Sequence, residues 1–92
     1  MTETEEKYLR VLLQLLRGVC KLKFVRIAEE SGIDIQRIYS FTGGKARLSY
    51  NGYQQIIETV KKNHPKEFEK ANLMIQQAEQ FDDEVEADGY GV

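Results

Sequence analysis

Apolar residues recur along this chain at the period of an α-helix, and that periodicity limits the fold more than any other feature. Leu9, Leu12, Leu13 and Leu16 fall at i, i+3, i+4 and i+7, and so do Tyr53, Ile56, Ile57 and Val60. Phe24, Ile27 and Ala28 share one helical face, as do Ile38 and Phe41. Phe68, Ala71, Ile75 and Ala78 form a further stripe, with Met74 and Phe81 beside it. Thr2 and Glu5 stand at capping-box spacing, and glutamates crowd the turn that follows, where a helix dipole favours them. Gly18, Gly32 and the Gly43-Gly44 pair punctuate the helices, and Pro65 suits the first position of the last one. The pattern predicts an all-α domain of four to five helices.

One segment carries two signals. Asn51-Gly52 is a hairpin dipeptide, and a two-stranded wing with its tip there would fit a winged variant of the fold. Against it, four periodic positions and a capping Ser49 predict a helix to Lys62, which is the preferred reading. Tyr8, Val11 and Leu15 add a second stripe to the first helix. That extra width fits a helix buried between two neighbours, or an interface.

With 92 residues the chain is expected to form one domain with a small core. No apolar run reaches the length of a membrane span, and the start, MTETEEK, lacks a secretory signal, so a cytoplasmic location is expected. Cys20 has no second cysteine to pair with, which suits a reducing compartment. Cys20 and His64, far apart, suggest no metal site. No nucleophile–base–acid set, phosphate-binding glycine loop or paired acidic cleft is apparent, so neither enzyme activity nor a cofactor is expected.

The net charge of −2 conceals a strong segregation. Residues 7–66 hold 12 Lys and Arg against 4 Asp and Glu, a balance of +8; residues 67–92 hold 1 Lys against 8 Asp and Glu, a balance of −7. A basic body with acidic ends fits a polyanionic partner, or equally a solvated surface whose charges are simply segregated.

The stretch AEESGIDIQRIYSFTGG, residues 28–44, is where that partner is expected to bind. Two helices that cross closely need a small residue on the first, a turn residue free to take positive φ, and an apolar residue packing back from the second. Ala28, Gly32 and Ile38 fill these roles, with Ile27, Ile33 and Phe41 completing the small core and Asp34 as the cap. Such a pair holds its second helix proud of the surface, where it can enter a major groove. The Ala-x3-Gly-x5-Ile spacing resembles the helix-turn-helix signature of the lambda repressor/Cro class. YSFTGGKARLSYNGYQQIIETV is similar to the glycine turn, basic loop and Ser-capped helix that follow in that class, so the likeness covers about Leu9 to Lys62. Ile35 and Tyr39 depart from it, one apolar and one bulky where the class differs.

The resemblance implies a lambda-repressor-like fold and a role for each exposed residue. Ile35, Gln36, Arg37, Tyr39 and Ser40 are expected to read base edges, and Lys21, Lys23, Thr42, Gly44, Lys45 and Arg47 to hold phosphates, with the Gly43 and Gly44 amides helping to clamp the strand. The implied function is a sequence-specific double-stranded DNA-binding regulator, Cro-like or of phage or plasmid type. The alternative is a protein-interaction module in which Ile35 and Tyr39 make the contact. Residues 1–64 form the DNA-binding domain on this reading, 65–81 an amphipathic helix, and 82–92 an acidic tail expected to be disordered. Phe68, Ala71, Ile75 and Ala78 are expected to form a homodimer contact, in preference to folding back on the chain's own core.

Overall fold

The computed structural model describes residues 1–91, with side chains described for residues 1–79. It is all-helical, with five helices and no strand among the described residues: α1 Glu3–Gly18, α2 Phe24–Ser31, α3 Ile35–Thr42, α4 Tyr50–Asn63 and α5 Pro65–Gly91.

The helix boundaries follow local chemistry. At the start of α1, Thr2 Oγ1 accepts from the Glu5 amide (3.2 Å) while Glu5 Oε1 accepts from the Thr2 amide (2.9 Å), the reciprocal capping box. Ser49 caps α4 by accepting from the Gly52 amide at 3.1 Å. Asn51 and Gly52 therefore lie inside a helix, and the winged alternative is overturned. Gly52 is buried, and a Cβ there would lie at ordinary contact distance from Ile33 Cδ1 and Leu48 Cδ2, 3.8 Å each, so the start of α4 packs beside the α2–α3 turn.

Leu9, Leu12, Leu13 and Leu16 of α1 are fully buried, together with Ile27, Ile38, Phe41, Ile56, Val60 and Ala71. The core thus draws on all five helices. α1 packs against α3 and α5, and α4 against α2 and α5. Burial of these side chains is the main force holding so small a bundle together, at about 1.5–3 kcal/mol for each large one.

Two expectations for the last helix need correction. Its apolar stripe does not stand wholly free: Ala71 is fully buried, Phe68 and Ile75 are half-buried against the chain's own core, and Ala78 is exposed. Tyr8 of α1 donates to Asn72 Oδ1 and Cys20 Sγ–H to the Glu67 carbonyl (3.7 Å), so α5 lies back along α1. α5 also runs through Gly91, across most of the acidic segment expected to be disordered; Pro65 is the only proline, so none interrupts it. Val92, and the Phe81 side chain read as flanking the stripe, lie outside what is described.

Candidate nucleic-acid interface

The sequence between α2 and α3 makes a sharp turn with its donors satisfied locally. Gly32 takes φ 76° and ψ 8°, the left-handed region that glycine enters at little cost, and its amide donates to Ala28 O at 3.0 Å. Ser31 is buried, and its Oγ accepts from the Ile33 amide (3.3 Å). Asp34 Oδ1 accepts from the Gln36 amide (2.7 Å), capping α3. Ala28 is partly buried against the core, Gly32 takes the turn, and Ile38 is fully buried.

The consequence is a short helix with two chemically distinct sides. Ile38 and Phe41 point inward, while Gln36, Arg37 and Tyr39 are exposed and Ile35 and Ser40 are partly buried. At 100° per residue Gln36 and Ser40 lie roughly opposite Ile38 and Phe41. Gln36 and Arg37 use no side-chain atom in a hydrogen bond within the described residues, so both are available to a ligand. Tyr39 is less free. Its ring meets Phe24 edge-on, with centroids 5.3 Å apart and planes at 66°, which fixes its direction while 47% of the residue remains exposed.

The far end of α3 is built differently. The amides of Gly43, Gly44, Lys45 and Ala46 donate back to Tyr39, Phe41, Ser40 and Ser40 carbonyls at 2.9, 3.1, 2.9 and 3.2 Å. The expected phosphate clamp of Gly43 and Gly44 amides is therefore corrected: these donors close the helix, and Gly44 (φ 76°) contributes the turn. Thr42 is committed too, its hydroxyl within bonding distance of Ile38 O (2.9 Å) and Tyr39 O (3.0 Å). Arg10 of α1 donates from Nε to Phe41 O (2.9 Å) and stacks over the Phe41 ring at 4.6 Å, fastening the helix end to α1.

Lys45 is exposed on the loop that follows. Arg47 donates from Nε to Glu6 Oε1 at 2.6 Å; the Glu6 side chain is 11% exposed and that of Arg47 72%. The hydrogen bond to Glu6, then its charge, raises the Arg47 pKa above the ordinary arginine value. Arg47 is thus oriented by a nearly buried carboxylate while most of its guanidinium faces solvent.

A second group of cations surrounds the start of α2. Lys21, Lys23 and Arg26 line a cleft of about 360 Å³ with Leu22, Val25 and Glu29. Lys23 is the α2 N-cap residue and makes no side-chain cap bond, so the first amides of α2 are left to solvent or an anion. Lys21 has φ 60°, unusual for a residue with a side chain, and its Nζ donates to Gly18 O (3.0 Å). Arg26 joins this group although the sequence reading passed over it.

His64, the C-cap residue of α4, also gains a partner that local sequence did not reveal. Its Nε2 lies 2.7 Å from Glu30 Oε1, and Arg26 Nε reaches Glu30 Oε2 at 3.4 Å. The His64 bond holds the Glu30 carboxyl below its ordinary range, with burial opposing and Arg26 adding to the effect. Among the described residues no cluster of three or more His, Cys, Asp or Glu is placed to hold a metal ion, and no helix is long and apolar enough to cross a membrane.

No protein-family model, curated protein or solved structure matches this chain.

Proposed function

We propose that this protein is a sequence-specific double-stranded DNA-binding regulator of transcription, with a lambda-repressor-like helix-turn-helix, Cro-like and acting in the cytoplasm. The observation that carries the reading is the exposed start of α3, where Gln36 lies opposite the buried Ile38 and Phe41 and Arg37 is exposed beside it, on a helix capped by Asp34 and fastened at its far end by Arg10. Gln36 can exchange two hydrogen bonds with an adenine edge and Arg37 can grip guanine; partly buried Ile35 offers a contact for a thymine methyl. Ser40 and the Tyr39 hydroxyl extend the same surface. Lys45 and Arg47 on one flank, and Lys21, Lys23 and Arg26 on the other, supply cations for the phosphate strands.

One such helix reads few base pairs, so two copies are proposed to occupy half-sites about 34 Å apart, one turn of duplex. The chain's own core covers Ala71 fully and Phe68 and Ile75 in part, so a contact between those copies does not rest on that whole stripe.

Selecting duplexes from a random pool, then titrating the selected sequence by fluorescence anisotropy, tests the reading. A palindromic consensus with affinity falling steeply as salt rises is expected. Absence of any anisotropy change at low salt rejects the reading and favours a protein partner on Ile35 and Tyr39.

A further inference from the structure

A groove of about 600 Å³ opens between α1, α4 and α5, with Tyr8, Val11, Tyr53, Ile75 and Ala78 as its apolar and aromatic lining. This is where the second stripe of α1 leads: Tyr8 and Val11 are only partly covered by α5. Around the α1 axis, the Tyr8–Val11 stripe is about 150° from Glu6 and Arg10, which hold Arg47 and the end of α3. The groove therefore faces away from the surface proposed for DNA.

Its chemistry selects one kind of occupant. Glu5 and Glu79 border the apolar floor, and Lys7 is the one cation in the lining. The sequence after Glu79 is itself acidic, with Asp82, Asp83, Glu84, Glu86 and Asp88 and no basic residue. Tyrosine faces and carboxylates both attract cations, whereas the floor demands apolar side chains. The acidic segment of this same chain is repelled by that surround.

We propose that this groove binds a lysine- or arginine-rich amphipathic helix of another protein. Its apolar residues at i, i+4 and i+7 would seat along Tyr8, Val11, Ile75 and Ala78. Its cationic flank would lie on the Glu5 and Glu79 side, away from Lys7.

The test uses the full chain and a labelled synthetic amphipathic peptide of roughly four helical turns with leucines on one face and lysines and arginines on the other. A control peptide keeps the leucines and carries glutamates instead. The basic peptide is expected to bind about tenfold tighter or more than the acidic one, and Val11→Arg to weaken it by a similar factor. Ala78→Arg, at the exposed edge of the groove, provides a second variant should Val11→Arg lose its helical circular dichroism. Equal binding of the two peptides overturns the proposal, and so does unchanged affinity in a variant with native helicity. Sedimentation of the chain alone decides the remaining occupant: a dimer dissolved by either substitution assigns the groove to a second copy, and the proposal falls.

Discussion

The two ends of α3 are built on opposite plans. At the start, Asp34 caps the backbone, and Gln36 and Arg37 remain exposed. At the finish, the Thr42 hydroxyl and the amides from Gly43 to Ala46 turn back on the helix, Arg10 takes the Phe41 carbonyl, and Arg47 is tied to Glu6. One end is left free to read; the other fixes where the reader points. A short helix of eight residues has little stability of its own, so its aim depends on such fastening.

The largest effect should come from cutting the fastened end. Phe41 is fully buried and carries the stacked Arg10. Phe41→Ala is expected to cost about 3–5 kcal/mol in denaturant unfolding, by lost burial and the cavity left behind. A loss under 1 kcal/mol would mean that α3 is held elsewhere, and the contrast between its ends would dissolve.

Changes at the free end should do the reverse. Gln36→Ala is expected to leave stability within about 0.5 kcal/mol and to cost about 1–3 kcal/mol of binding on a preferred duplex, with little effect on a scrambled one. Lys45→Ala should weaken both duplexes alike and lower the salt slope by about one. Arg47→Ala sharpens the comparison further, because it removes the partner of nearly buried Glu6 and should reduce stability and binding together. If Lys45→Ala and Arg47→Ala prove indistinguishable in unfolding, the Glu6 contact has no structural role.

Between the two ends of the α2–α3 pair sits Gly32. A Cβ there meets nothing within 4 Å, so the only obstacle to a side chain is φ 76°. Gly32→Ala should therefore cost about 1–2 kcal/mol, and Gly32→Asn less. Equal stability of all three would show that the turn relaxes freely and does not set the angle of α3.

That turn was legible in the sequence because its causes are local. A small residue, a glycine and an apolar residue at fixed spacing specify it, as Thr2 with Glu5 and Ser49 specify their helix starts. The fastening of α3 was not legible. Arg10 and Phe41 are 31 residues apart, Glu6 and Arg47 are 41 apart, and no periodicity encodes such pairs. The Asn51-Gly52 dipeptide carries a hairpin signal that the Ser49 cap and the periodicity of α4 override, and the contact of Gly52 beside Ile33 and Leu48 is known only once α4 docks. The apolar stripe of α5 showed that a surface is buried but not which one covers it, and the chain's own α1 and α4 do so. Of the candidate contacts, Gln36, Arg37 and Lys45 are exposed, whereas the Thr42 hydroxyl and the Gly44 amide are taken up by the end of α3, because helix ends engage nearby donors.

The smallest effect concerns how α2 is steadied before the turn begins. His64 bonds Glu30 one residue before Ser31, linking the α4–α5 junction to the end of α2. Because this bond lowers the Glu30 pKa in the folded chain, its stabilisation is present above the ordinary carboxylate range and is lost as pH falls through the lowered folded value. Glu30→Gln removes that dependence. The unfolding midpoint of the unaltered chain should thus fall more steeply on acidification than that of the variant, with the two curves converging at acid pH. Parallel curves would show that the His64–Glu30 contact carries no pH-dependent stability, leaving the Asp34 cap and Gly32 to position the reading end of α3 on their own.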